Sequence, residues 1–72
     1  MSRRPQKRSL TLRGHRTSVS LEDEFWACFR EIAARQGRAL NDLAAEIDEQ
    51  RGTETGLASA IRLFVLRDLL LR

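Results

Sequence analysis

The sequence predicts a mainly α domain in which one short β-strand leads into helices and a second copy of the chain completes the core. Three observations predict it. The chain has 72 residues, a size at which a lone core seldom supplies enough stability (the threshold is about 70–80 residues). Its one Cys and one His can form neither an internal disulfide nor a zinc site of four protein ligands, which leaves oligomerisation as the route to a sufficient core. Finally, a stretch alternating with period two, Arg16 to Leu21, precedes segments whose apolar residues recur at helical spacing.

Residues 1–8 (MSRRPQKR) show no apolar periodicity and are expected to form a flexible basic arm, with the domain spanning residues 9–72. Ser9 to Leu12 alternates with Leu on even positions, and Arg16 to Leu21 alternates with its apolar side on odd ones. The phase flips across Arg13-Gly14-His15, which suits a bulge or a turn. The strand proper is placed at about 16–20, because it runs straight into the first helix. Ser9 to Leu12 is left to add an outer strand or to fold back as a hairpin.

The first helix is expected over about 21–36. Ser20 and Asp23 resemble a capping box, Glu22, Asp23 and Glu24 suit the positive end of the macrodipole, and Gly37 is a good stop. Phe25, Phe29, Ile32 and Ala33 form its apolar face, with Trp26 on the flank. A second helix, about 40–50, turns Leu40, Leu43, Ala44 and Ile47 to one side. A loop follows in which Thr53 or Thr55 is the expected cap. The third helix, about 57–70, has Leu57, Ala60, Ile61, Phe64 and Val65 on one side and Leu63, Leu66 and Leu70 on another. One such chain cannot bury that much apolar surface, which again points to a dimer.

Charge is unevenly spread. Arg3, Arg4, Lys7, Arg8, Arg13 and Arg16 precede the first acid, Glu22, whereas the rest of the chain holds seven Arg against ten acids. A basic N-terminal segment on a mildly acidic body is the pattern of a polyanion binder. With period two placing Thr17, Val19 and Leu21 against the helices, Arg16, Ser18 and Ser20 face outwards.

The run Arg16-Thr-Ser-Val-Ser-Leu21-Glu-Asp-Glu-Phe25, followed by Gly37-Arg-Ala-Leu-Asn41, resembles the ribbon-helix-helix family of the Arc/MetJ type. Gly14-His-Arg-Thr-Ser-Val-Ser-Leu-Glu22, Phe25-Trp26, Ala45-Glu-Ile-Asp48, Ser59-Ala-Ile-Arg62 and Phe64-Val-Leu66 look like one bacterial branch of short members. The resemblance covers roughly residues 9–68 and implies an intertwined homodimer. Each chain would contribute one strand to an antiparallel ribbon, and an extra C-terminal helix would follow the two family helices. It implies sequence-specific binding of double-stranded DNA by that ribbon in the major groove, in a small transcriptional regulator or repressor.

Arg16, Ser18 and Ser20 would then read bases. Backbone N–H groups at Ala39, Leu40 and Asn41, helped by Arg38, would hold phosphate, although Ala39 stands where the family usually has Ser or Thr. The basic residues Arg3, Arg4, Lys7, Arg8 and Arg13 would add phosphate contacts. The expected dimer core is Val19, Leu21, Phe25, Phe29, Ile32, Leu43, Ile47, Ile61 and Phe64. Trp26 is expected in core or interface, and Cys28 as a small core residue. His15 is left between a phosphate contact and support of the Gly14 turn.

No nucleophile with a His–acid pair, Gly-rich phosphate loop, carboxylate dyad or metal cluster appears, so neither enzyme activity nor a cofactor or metal is expected. The absence of an apolar h-region or spanning segment, and the unpaired Cys28, point to the cytoplasm. The competing reading is a protein-interaction or antitoxin-like module of the same fold with weak or absent DNA reading, its partner bound through the C-terminal helix.

Overall fold

The computed structural model describes residues 4–72. Two strands, β1 (Gln6–Leu12) and β2 (His15–Leu21), precede three helices, α1 (Asp23–Arg35), α2 (Leu40–Gln50) and α3 (Leu57–Leu70). The strands pair antiparallel as a hairpin, with Lys7 opposite Ser20, Ser9 opposite Ser18 and Thr11 opposite Arg16. This resolves the open choice for Ser9 to Leu12 in favour of the hairpin. It also corrects the expected flexible arm, since Gln6, Lys7 and Arg8 belong to β1. Both strands of the ribbon come from one chain, where the resemblance implies one from each of two.

The hairpin explains the phase flip. Its two-residue loop, Arg13-Gly14, has positive φ at both positions, 51° and 85°, the mark of a type I′ turn, whose twist matches that of the flanking strands. Such a loop pairs even residues of β1 with odd residues of β2. Leu10 and Leu12 therefore share a face with Val19 and Leu21, and an apparent break in pattern becomes one continuous apolar face.

That face lies on the helices. Leu10, Val19, Leu21, Phe29, Ile32, Leu43, Ile47, Ile61 and Val65 are buried in one cluster, with Leu12, Phe25, Trp26, Cys28 and Phe64 packed partly against it. Phe29 meets Phe64 edge-on at 6.2 Å between ring centroids and Trp26 at 6.3 Å in a tilted arrangement. Burial of each large side chain in this cluster contributes about 1.5–3 kcal/mol. The side chains expected to knit two copies together thus already meet within one chain.

Helix ends follow local chemistry. α1 starts after Glu22, which has extended backbone and makes no side-chain cap. The expected Ser20 capping box is not formed, because Ser20 is still in β2. At the other end, Gly37 has φ 67°, and the N–H groups of Gly37 and Arg38 donate to Ala34 and Ala33 at 3.0 and 2.9 Å. This is a Schellman stop. α3 is preceded by Gly56 rather than by a capping Thr53 or Thr55. The Arg51 guanidinium organises that loop instead, donating to the carbonyls of Gly52 and Thr55 at 3.1 and 2.7 Å and to Asp48 at 2.7 Å.

The face of α3 opposite Ile61 and Val65 is uncovered. Leu63, Leu66 and Leu70 lie along it, 43%, 48% and 73% exposed. Among the described residues no helix is long and apolar enough to cross a membrane.

Candidate nucleic-acid interface

The outward face of the ribbon is set by the pleat. With Leu10, Val19 and Leu21 turned to the core, Lys7, Ser9 and Thr11 of β1 and Arg16, Ser18 and Ser20 of β2 point away from the helices. All six are exposed. Neither cation forms an ion pair among the described residues, and no carboxylate lies on this face. Its chemistry is two cations and four hydroxyls, all able to meet a polar surface. Reasoning from the sequence had placed Arg16, Ser18 and Ser20 here. It missed Ser9 and Thr11, whose signal is the short alternation ahead of Gly14.

The helices hold the ribbon by its edges. The backbone N–H of Thr11 donates to Oδ1 of Asn41 at 3.1 Å, which brings the start of α2 alongside β1. At the other edge, Arg62 of α3 donates to the Ser20 carbonyl at 3.2 Å and to Glu22 at 2.9 Å. The Glu22 carboxyl sits below its ordinary pKa, held there by its own backbone N–H and by Arg62. Arg62 also lies 5.8 Å from the Phe25 ring centroid, so one guanidinium joins α3 to the strand–helix junction.

The first turn of α2 presents the N–H groups of Leu40 and Asn41, while the Leu43 N–H donates to Ala39. Ala39 has extended backbone and supplies no side-chain cap. Unpaired donors at a helix N-terminus form an anion site on backbone alone. The Asn41 side chain is committed to the ribbon.

The candidate phosphate-binding cations divide. Arg3 lies outside the described residues, and Arg4 and Lys7 are exposed. Arg8 is on the inward face, bound to Asp23 and stacked 5.4 Å from the Trp26 ring centroid, so its side chain is turned away from the outward surface. This also accounts for Trp26, which is partly buried against the core under Arg8. Arg13 donates to Glu49 at 3.1 Å and Arg38 to Glu46 at 3.0 Å. The Arg38 guanidinium holds the Glu46 carboxyl below its usual range, and Glu46 in turn raises Arg38. Arg38 lies just ahead of α2 and Arg13 reaches its last turn, and the charge of both is met by acids of that helix. His15 is exposed at the end of the turn.

Among the described residues no group of three or more His, Cys, Asp or Glu could hold a metal ion. A family profile described as the ribbon-helix-helix domain matches residues 5–69. No curated protein and no solved structure shows significant similarity to the chain.

Proposed function

The chain belongs to the ribbon-helix-helix family, whose members are generally DNA-binding transcription regulators, and we propose that it binds double-stranded DNA sequence-specifically as a small regulator or repressor. The ribbon enters the major groove, a space about 12 Å wide that admits two paired strands. Arg16 donates to guanine O6 and N7, and Ser18 and Ser20 donate to or accept from neighbouring base edges. The N-terminus of α2 and the cations Arg3 and Arg4 engage phosphate, which positions the ribbon without reading sequence.

The observation that supports this most is the outward face itself. It holds Arg16 and Lys7 unpaired amid hydroxyls, on a chain whose inward-facing or helix-contacting arginines Arg8, Arg13 and Arg38 are all ion-paired. Selection from a randomised duplex pool tests the proposal. An enriched sequence, bound with affinity that falls as salt rises, supports it. Uniform weak binding to every duplex sinks it.

Homodimerisation is part of the proposal, since ribbon-helix-helix proteins typically bind DNA as dimers. The contact we propose is the leucine stripe of α3, Leu63, Leu66 and Leu70, beside a groove edged by Ile47 and Phe64. The compartment proposed is the cytoplasm, where Cys28 stays a thiol. The same stripe favours a second reading, a protein-binding or antitoxin-like module in which α3 seats another protein and DNA reading is weak. A chain that stays monomeric and enriches no DNA would fit that reading.

A further inference from the structure

The two strands follow one chemical pattern. Lys7-Arg8-Ser9-Leu10-Thr11-Leu12 and Arg16-Thr17-Ser18-Val19-Ser20-Leu21 share the order cation, polar, Ser, aliphatic, hydroxyl, Leu at an offset of nine residues. The hairpin pairs these runs with Ser9 opposite Ser18 at the centre. A two-fold axis through that central pair, perpendicular to the ribbon, carries each residue of β1 onto the one nine positions later in β2. Lys7 falls on Arg16, Ser9 on Ser18 and Thr11 on Ser20. The outward face therefore has two-fold pseudosymmetry in both shape and chemistry: a cation at each diagonal end, a serine pair in the middle and a hydroxyl at each remaining corner.

We infer that a single chain forms the whole base-reading ribbon, with Lys7, Ser9 and Thr11 reading one half of a quasi-palindromic core while Arg16, Ser18 and Ser20 read the other. This rests on the DNA-binding reading above and goes beyond it in naming three further specificity residues and the unit that reads. The width of the groove supports it. A second copy adding its β2 to this β2 would make four strands, whose outer axes lie about 14 Å apart before any side chain is counted. That exceeds the groove of about 12 Å. The ribbon edges are also engaged by the chain's own helices, through Thr11 with Asn41 and Ser20 with Arg62.

The geometry sets the expected footprint. Four residues separate the Lys7–Ser20 pair from the Thr11–Arg16 pair, or about 13 Å along the ribbon. At 3.4 Å per step of the duplex this places the two cations roughly four base pairs apart, over opposite DNA strands. Two chains joined through α3 would then bring two complete ribbons, each to its own core.

The test uses the full chain and a randomised duplex pool. Wild type, Ser18→Ala, Ser9→Ala and a Lys7→Gln/Thr11→Val pair are each selected against the pool, and native mass spectrometry counts chains on the enriched core trimmed to one groove segment. All four substitutions are on the exposed face, and circular dichroism confirms that the variants fold. The expected result is one chain per core, with the β1 variants losing about tenfold in affinity and relaxing one half of the core, as Ser18→Ala relaxes the other. Two chains per core, or β1 variants that enrich the wild-type sequence with unchanged affinity, would overturn the inference while leaving DNA reading intact. A wild type that enriches nothing would remove both.

Discussion

The Thr11 backbone N–H donates to Oδ1 of Asn41 across 3.1 Å, and through this bond the outer edge of the ribbon is tied to the start of α2. An exposed strand edge is otherwise open to water or to another chain. Here one side chain both caps that edge and sets the distance between the outward face of the ribbon and the N–H groups of Leu40 and Asn41. Asn41→Ala is expected to cost about 0.5–1.5 kcal/mol in urea unfolding and to weaken binding to all duplexes alike. A variant that weakens only the selected sequence would contradict this positioning role.

Arg16 and the arm should fail in different ways. Arg16→Ala removes a bidentate donor, so about 1–3 kcal/mol of affinity is lost for the selected sequence and little for random duplex. Replacing Arg3 and Arg4 by Ala should weaken every sequence and flatten the dependence of log affinity on log salt. Equal losses on selected and random DNA for Arg16→Ala would end the assignment of Arg16 to base reading.

Leu66 is 48% exposed at the middle of the α3 stripe. Under the proposed α3 contact, Leu66→Glu should leave helicity unchanged while shifting sedimentation from dimer to monomer, because a charge would enter an apolar interface. A wild type that sediments as a monomer at micromolar concentration would refute the dimer.

Acid should weaken the fold through the carboxylates that are held low, Glu22, Glu46 and Asp68. Glu46 is held low by Arg38, and Asp68 by Arg35 and Arg72. A folded-state pKa below the unfolded one means that the stabilisation is fully present above the ordinary carboxylate value, about 4. It disappears as pH falls through the depressed folded values. The urea midpoint should be level from neutral pH to about 5.5 and decline below about 4.5. Glu46→Gln with Asp68→Asn should make that decline shallower; an unchanged slope would exclude these pairs as its source.

Gly14 turns the hairpin at φ 85°, and a Cβ there would meet no atom within 4 Å. Any penalty for a side chain is thus backbone strain alone. Gly14→Val should cost about 1–2 kcal/mol, seen as a lower urea midpoint, and an unchanged midpoint would show that the type I′ turn does not constrain the ribbon.

Residue order alone determined a good deal. Helical spacing of Phe25, Phe29 and Ile32, the stop at Gly37 and the alternation from Arg16 to Leu21 made the family and fold class legible, because each is a local pattern with one geometric meaning. The same alternation put Arg16, Ser18 and Ser20 on the outer face. Tertiary structure decided where the remaining cations point and what completes the ribbon. Arg8 turns inward because Trp26 and Asp23 of α1 lie beneath β1, and Arg13 and Arg38 are met by Glu49 and Glu46. Those partners are 8 to 36 positions away in sequence, beyond the reach of any periodicity. The role of β1 was hidden for a related reason. Two short alternating runs in opposite phase read as a broken pattern until an antiparallel turn of two residues lays one against the other, and pairing across that turn makes their faces coincide.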